Sequence, residues 1–259
     1  FRAQDEGEMP LPRDRSQRTP TPYPSIEGAE SLRSELEAGG DPARGALASR
    51  YFKTGPGGYA EGDRFLGYTV PVLRRLALAH PFLSIRGSLH LLESPFNEVR
   101  LLGLLILVRR YEKGSPSDQE QVYEAYMGHR SRINNWNLVD SSAPQIVGAH
   151  LHARPRDPIA RLAASPVLWD RRIAIVSTLA WIRRGEFAGT LELAVRLLSD
   201  PEDLIHKAAG WMLREVGKKD PSTLKTFLAT HAARMPRTEL RYAIERFSQA
   251  ERAAYLARR

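Results

Sequence analysis

Several features that define whole classes of protein are missing from this sequence. It contains no cysteine, so disulfides, thiol nucleophiles, zinc fingers and iron–sulfur sites are excluded. Its longest apolar run, Leu101 to Val108, is interrupted by Gly103 and falls far short of the roughly 18 residues of a membrane span. We therefore expect no membrane contact, and the charged, proline-rich start predicts no signal peptide.

Signals for β-strands are also scarce. Few stretches alternate between apolar and polar residues, and few β-branched residues cluster. From about residue 29 onward the apolar spacing is instead helical, with helices of roughly 10 to 17 residues joined by short connections. About a dozen such helices predict an all-α fold.

The composition carries a surplus of positive charge. The 259 residues include 38 Lys and Arg against 30 Asp and Glu, which gives a formal net charge of +8. A basic chain of this size favours a polyanion as its partner, although solubility or a bias toward arginine would produce the same surplus. The hydrophobic fraction of 42% suffices for one sizeable core or one extended helical array.

Residues 1–28 differ in composition from the rest of the chain. They are rich in charge and proline and hold few apolar residues, so they cannot bury enough surface to order themselves. We predict a flexible arm over residues 1–28 and a single domain over residues 29–259. The arginines of the arm are available to contact phosphates, although a passive tail is the favoured interpretation.

Helix ends are marked by capping residues, proline and glycine. Ser117 with Glu120 and Ser248 with Glu251 fit capping boxes. Gly217, which is followed by two lysines, predicts a helix end. Four pairs place an N-cap residue type before a proline suited to the first helical turn. These pairs are Ser94-Pro95, Ser165-Pro166, Asp200-Pro201 and Asp220-Pro221.

The helices come in pairs, and each pair spans roughly 35 to 45 residues, a period typical of HEAT-like repeats. No helix is hydrophobic enough on all sides to form the centre of a bundle. We therefore predict a right-handed α-α superhelix of HEAT-like repeats with a basic concave face.

The stretch around Trp136 and Asp140 is the most informative one. These residues are four apart, so on a helix they share one side. Pro144 cannot donate its backbone hydrogen bond to the carbonyl of Asp140, which places the carboxylate at a kink beside an aromatic ring. A structural interpretation stays open, in which Asp140 caps Ser142 or pairs with an arginine and Trp136 belongs to the core. The buried side is predicted to consist of Leu138, Val139, Ile146 and Val147.

Two further segments suit nucleic acid. The helix predicted over residues 204–217 carries, beside its apolar side, a tryptophan between cations: Lys207, Trp211, Arg214 and Lys218. Lys53 lies in the segment Tyr51–Gly67, whose glycines and aromatic residues are compatible with close approach to a phosphate. A solvated helix face and a packed inter-helix loop are the respective alternatives. The apolar side of the helix is predicted to consist of Leu204, Ile205, Ala208, Ala209, Met212, Leu213 and Val216.

The spacing between these segments brings them together. Trp136 and Arg172 are 36 residues apart, and Arg172 and Trp211 are 39 apart, so each step is close to one repeat. Residues one repeat apart are neighbours on the same surface of a solenoid. We therefore expect Trp136, Asp140, Arg172 and Trp211 to converge on the concave face.

Five blocks in order along residues 45–247 resemble the AlkD-like DNA alkylation repair family. The blocks are Tyr51–Gly67, Asn135–Ser142, Trp169–Arg172, Asp203–Lys218 and Met235–Ala243. The resemblance implies a HEAT-like monomer that cups duplex DNA and removes cationic N3- and N7-alkylated purines without a metal or other cofactor. It further implies a bacterial, cytoplasmic protein that associates with the nucleoid while it acts.

The resemblance also implies roles for single residues. The catalytic aspartate of the family falls on Asp140, and its two lesion-contacting tryptophans fall on Trp136 and Trp211. Its arginine for the DNA backbone falls best on Arg172, with the adjacent Arg171 as the alternative. The chain departs from the family pattern at residue 137, where asparagine stands in place of the frequent aspartate.

The expected chemistry fits these residue types. An alkylated purine is already cationic and leaves without a general acid, so a carboxylate is needed only for the positive charge that grows on the deoxyribose and for the attacking water. Two other functions stay open on the same fold. One is a non-catalytic binder of DNA structures, and the other is a protein-interaction scaffold.

Overall fold

The structure is a computed structural model that describes residues 26–257. Within that range it is all-helical, with no β-strand and one isolated bridge between Arg64 and Phe96. The helices are α1 (Ile26–Ala38), α2 (Pro42–Tyr51), α3 (Val70–Ala79), α4 (Ile85–Leu92), α5 (Asn97–Lys113), α6 (Pro116–Gly128), α7 (Trp136–Asp140), α8 (Asp157–Ala163), α9 (Leu168–Ser177), α10 (Leu179–Ile182), α11 (Ala188–Arg196), α12 (Asp203–Lys219), α13 (Pro221–His231), α14 (Arg237–Ala243) and α15 (Gln249–Ala257). The predicted all-α class is confirmed.

The arm predicted over residues 1–28 falls outside the described residues except for its last three. Residues 26–28 belong to α1, so the described helical part of the chain includes the last three residues that were assigned to the arm. Helix α1 packs through Ala29, Leu32 and Leu36, which belong to a buried cluster with residues of α3, α4 and α5.

Helices that pack against each other lie within a few elements of each other along the chain. Helix α1 packs against α4, and α3 and α4 pack against α5; α7 and α8 then pack against α9, α9 against α12, and α12 against α13 and α14. This serial order is what an array of stacked helical repeats produces, and it agrees with an α-α superhelical repeat fold. The right-handed twist and the basic concave face stay predictions.

Two of the six predicted N-caps are confirmed, and the other four are wrong. Asp220 caps α13 by accepting hydrogen bonds from the backbone N–H groups of the second and third residues after it. Ser248 and Glu251 form the reciprocal pair of a capping box. The predicted box at Ser117 is wrong, because α6 begins two residues earlier. Its N-cap is Ser115, and Asp118 closes the box. Pro116 occupies the first helical position, which its fixed backbone dihedral suits.

The other three proline pairs start their helices later than predicted. The side chains of Ser94, Ser165 and Asp200 each accept a hydrogen bond from the backbone N–H two residues on, at distances of 3.2, 3.1 and 3.0 Å. Each therefore forms a turn that encloses the proline. Helices α5, α9 and α12 begin three residues after these side chains. The pairs mark the entry turn of three equivalent helices rather than their N-caps.

Helix α12 packs against most helices of the C-terminal half, which are α9, α10, α11, α13 and α14. Its predicted apolar side is buried, except that Leu204 is only partly covered. The helix end predicted at Gly217 is wrong, since α12 continues to Lys219. Gly217 instead allows close packing, because a Cβ there would lie 2.3 Å from Leu224 Cδ2.

The interruption predicted after Asp140 is present. Helix α7 ends at Asp140, and Pro144 begins a segment of π-helix, Pro144–Gly148, in which the Gly148 N–H donates to Ala143. The predicted buried side of this stretch is completely covered. The carboxylate thus projects from the last residue of a short helix that is anchored on its opposite side by apolar packing.

Candidate functional site

One cavity of about 410 Å³ collects side chains from distant parts of the chain. The lining residues come from α2 and the segment after it, and from α7, α9, α12 and α14. Its lining consists of Tyr51, Lys53, Tyr59, Trp136, Asp140, Arg172, Leu204, Lys207, Trp211, Arg214 and Tyr242. The predicted convergence of Trp136, Asp140, Arg172 and Trp211 is therefore present.

Trp136 is held on one face and on its ring nitrogen. Its indole stacks on Phe52, with ring centroids 4.9 Å apart and planes inclined by 18°. Its Nε1 donates a hydrogen bond of 3.1 Å to the hydroxyl of Tyr59. Tyr51 meets it edge-on at 6.1 Å. Because one face is occupied by Phe52, only the other face is available to line the cavity.

Asp140 is paired with Arg172 in a bidentate arrangement. Arg172 Nε and Nη2 donate to the two carboxylate oxygens at 2.9 and 2.8 Å. Arg172 Nη1 donates to the carbonyl of Leu204 at 2.6 Å. The Arg172 side chain is 6% exposed, whereas Asp140 keeps 19% exposure. The pair therefore fixes the plane of the carboxylate and leaves part of it open to the cavity.

The surroundings of Asp140 act on its ionisation in opposite directions. Burial raises the pKa of the Asp140 carboxyl above its usual value, and the guanidinium of Arg172 opposes that rise. The charged form is the one that the ion pair favours. Asp140 is thus a carboxylate whose charge depends on its arginine partner.

The role predicted for Arg172 as a phosphate contact stays a prediction. The ion pair with Asp140 limits the N–H groups that Arg172 can offer to a phosphate. Three of its N–H groups are already engaged, so a phosphate would have to use the remaining ones or open the ion pair. The alternative, Arg171, does not line the cavity. It forms a buried ion pair with Asp200 at 2.6 Å and donates to the carbonyls of Ser165 and Pro166.

The other predicted cations are divided between the cavity and its surroundings. Lys207 lines the cavity and pairs with Asp203 at 2.8 Å, a contact that raises the pKa of the lysine. Arg214 lines it and is paired with Glu245. Lys53 is exposed and has no ion-pair partner among residues 26–257. Cations therefore outnumber carboxylates on the cavity lining.

Lys218 lies outside the cavity, where it pairs with Glu215 of the same helix at 2.7 Å. It is the last residue of the predicted cationic stripe and lies beyond the cavity along the axis of α12.

Sequence reasoning missed three tyrosines of the lining. Tyr51 and Tyr59 belong to the segment that was singled out for its glycines and aromatic residues but in which only Lys53 was named as a site residue, and Tyr242 comes from α14. Tyr242 reaches the cavity because α14 lies close to α12 at Gly210, where a Cβ would be 2.6 Å from Tyr242 Cβ. The clustering of aromatic residues between 51 and 65 was the available signal for the first two.

Fold and cavity together describe an all-helical repeat protein with an aromatic, cationic cavity that holds one carboxylate. The sequence matches the model of the family described as DNA alkylation repair enzyme over residues 32–247. A solved structure described as a predicted DNA alkylation repair enzyme from Enterococcus faecalis is similar, with a TM-score of 0.61 and 14% identity over 81% of this chain and 97% of that one. At that identity the likeness supports the fold alone. No curated protein sequence matches the chain.

The chain therefore belongs to the DNA alkylation repair enzyme family, and a role in DNA repair follows from that membership. No helix within residues 26–257 is long and apolar enough to cross a membrane. In the same range, no group of three or more His, Asp or Glu side chains is arranged to hold a metal ion.

Proposed function

We propose that the protein is a monofunctional DNA glycosylase that acts as a monomer on duplex DNA and excises purines carrying a positive charge after alkylation at N3 or N7. The observation that carries this proposal is that the Asp140 carboxylate lines one cavity together with Trp136 and Trp211. A carboxylate and aromatic rings on one lining suit a reaction in which positive charge moves from a base to a sugar.

The bond changes can be written without a general acid. The glycosidic bond breaks, and its electron pair leaves with the purine and neutralises the charge that alkylation placed there. Positive charge then develops at C1′ of the deoxyribose, and water attacks that carbon and loses a proton. The products are a free alkylated base and an abasic site. A neutral base leaves poorly in this scheme, which makes the enzyme selective for cationic lesions.

Asp140 has the two properties that this scheme requires of a carboxylate. It is partly open to the cavity, so a cationic sugar can approach it, and it is largely desolvated, so its field is less screened than in water. Arg172 opposes the rise in the pKa of Asp140 that burial causes, and its two hydrogen bonds orient the carboxylate before substrate arrives. We assign to Asp140 the stabilisation of the developing charge and the orientation of the attacking water.

The rest of the lining supports DNA as the substrate. The faces of Trp136 and Trp211 attract a cationic nucleotide by about 0.5–2 kcal/mol each. Lys53, Lys207 and Arg214 lie around the same cavity and are suited to phosphates on either side of the lesion. Of these, Lys53 is the best candidate for a phosphate contact, because its ammonium is not engaged in an ion pair among the described residues.

The test is release of free base from a duplex that carries a single N7-methylguanine, with the same duplex carrying hypoxanthine as the neutral-base control. We expect release from the first duplex only. Binding of both duplexes without release would contradict a glycosylase and favour a non-catalytic DNA binder, whereas absence of binding would favour a protein-interaction scaffold.

A further inference from the structure

We propose that Tyr59 is a positioning residue that fixes the orientation of Trp136, so that one indole face is always presented to the cavity. The effect on base release rests on the proposed function, whereas the effect on Trp136 itself does not. Tyr59 belongs to no helix, and it reaches Trp136 across 77 residues of sequence.

The first restraint on Trp136 is a stack of three aromatic rings. Phe65 stacks on Phe52 with centroids 4.6 Å apart and planes at 21°, and Phe52 stacks on Trp136 at 4.9 Å and 18°. Stacking fixes the plane of the indole. It leaves the ring free to slide and turn within that plane, because dispersion and quadrupole contacts are only weakly directional in the plane.

The hydrogen bond from Trp136 Nε1 to the Tyr59 hydroxyl removes this remaining freedom. It is 3.1 Å long and acts at the edge of the indole, where a small rotation in the plane would break it. Tyr59 is itself oriented by an edge-on contact with Trp169 at 6.4 Å. The two restraints differ in geometry, so together they define a single orientation.

The segment that carries Tyr59 is tied to the helix that carries Trp136. Asp63, four residues after Tyr59, accepts hydrogen bonds from Asn135 Nδ2 at 3.0 Å and from Asn97 Nδ2 at 2.9 Å. Asn135 is the N-cap of α7, and its Oδ1 accepts from the backbone N–H of Trp136 at 2.8 Å. One carboxylate therefore links the Tyr59 segment, α5 and the first turn of α7.

Local backbone geometry explains why Tyr59 can reach this position. Lys53 has a φ of 54°, and the chain folds back on it so closely that a Cβ on Gly58 would lie 1.8 Å from the Lys53 carbonyl oxygen. Only glycine fits there. The fold-back places the next residue, Tyr59, beside Trp136 instead of directing it into solvent.

A double-mutant cycle on the full chain tests the proposal. The variants are Tyr59→Phe, Trp136→Phe and the combination of the two. Tyr68→Phe is the matched control, because it too removes a tyrosine hydroxyl engaged in a hydrogen bond, here one donated to the Leu36 carbonyl at 3.1 Å, but does so away from the cavity. The readouts are the indole N–H resonance of Trp136, assigned by its loss in Trp136→Phe, the single-turnover rate of N7-methylguanine release, and the affinity for the same duplex.

We expect Tyr59→Phe to move the Trp136 indole resonance and to slow base release roughly fivefold, with affinity changed less than about twofold. In the Trp136→Phe background the same change should cost nothing further, because phenylalanine has no N–H to lose. An unmoved resonance would overturn the proposal. So would equal losses of rate in both backgrounds, or a similar loss in Tyr68→Phe.

The failure of the proposed function is a separate result. If the wild-type protein releases no base, the glycosylase proposal fails, and the indole resonance alone decides whether Tyr59 orients Trp136. A resonance that moves in Tyr59→Phe but not in Tyr68→Phe upholds the positioning role, and one that moves in neither overturns it.

Discussion

Replacing Glu239 with glutamine is expected to stabilise the protein at neutral pH. Glu239 lies on α14 against α12 and is completely buried. Neither of its carboxyl oxygens has a hydrogen-bond partner among the described residues. Burial raises the pKa of this carboxyl from 4.5 to about 8. The folded protein therefore holds Glu239 in its neutral form at pH 7.

The size of the effect follows from linkage between protonation and folding. Between pH 4.5 and about 8 the folded state keeps a proton that the unfolded chain releases, so stability falls as pH rises through this window. The loss is about 1.4 kcal/mol per pH unit, which amounts to about 3 kcal/mol at pH 7. Below pH 4.5 both states hold the proton and the loss is absent. The glutamine of Glu239→Gln cannot ionise, so this variant does not lose stability as the pH rises.

The assay is urea unfolding of both proteins at several pH values between 4 and 8. The variant should match the wild type at pH 4 and exceed it increasingly toward pH 7. Glu192→Gln, at an exposed position of α11, serves as the control and should change the free energy of unfolding by less than about 0.5 kcal/mol. A difference between Glu239→Gln and wild type that stays constant across this range would refute the reasoning.

Three further predictions concern the site and its support. Arg172→Met removes the group that opposes the raised pKa of Asp140, so the acid limb of the rate of base release should move to higher pH, and an unmoved limb would contradict the coupling. Lys53→Ala should weaken binding of damaged and undamaged duplex equally and reduce the salt slope of log K by about one; an unchanged slope would exclude a phosphate contact. Gly210→Ala should cost about 1–3 kcal/mol in unfolding experiments, since the new Cβ would lie 2.4 Å from an atom of α14. Gly128→Ala is its control and should cost nothing, because the new Cβ would meet no atom within 4 Å beyond the adjoining residues and the backbone of its own helix.

The sequence was sufficient to predict the all-helical class and the meeting of the main site residues, whereas seven of the fifteen helices within residues 26–257 are shorter than the predicted minimum of about 10 residues. Helical periodicity predicted the buried residues of α12 and of the stretch after Trp136, because burial of one helix side follows directly from the spacing of apolar residues. The distances from Trp136 to Arg172 and from Arg172 to Trp211 predicted their convergence, because stacked repeats place equivalent positions side by side. Neither argument needs any knowledge of side-chain rotamers.

The sequence could not predict the pairing of individual side chains or the contacts of the irregular segment. The first depends on rotamers and the second on backbone that has no regular repeat. The spacing made Arg172 a neighbour of Asp140 but did not determine whether its guanidinium would face a phosphate or the carboxylate. Tyr59 and Asp63 contact α7 across 77 and 72 residues, and an irregular segment has no periodicity from which such contacts follow. Gly217 was interpreted as a helix end because two lysines follow it. The packing against α13, which explains the glycine, leaves no signal in the neighbouring sequence.

The central claim is that Asp140 is the catalytic carboxylate, and the most direct test is single-turnover release of N7-methylguanine by Asp140→Asn. Asparagine keeps the size of the side chain and removes its charge. We expect duplex affinity within a few-fold of wild type and a rate of release lower by at least about 100-fold. Asp157→Asn, at an exposed position of α8, should retain the wild-type rate. Equal rates of release by wild type and Asp140→Asn would contradict the account.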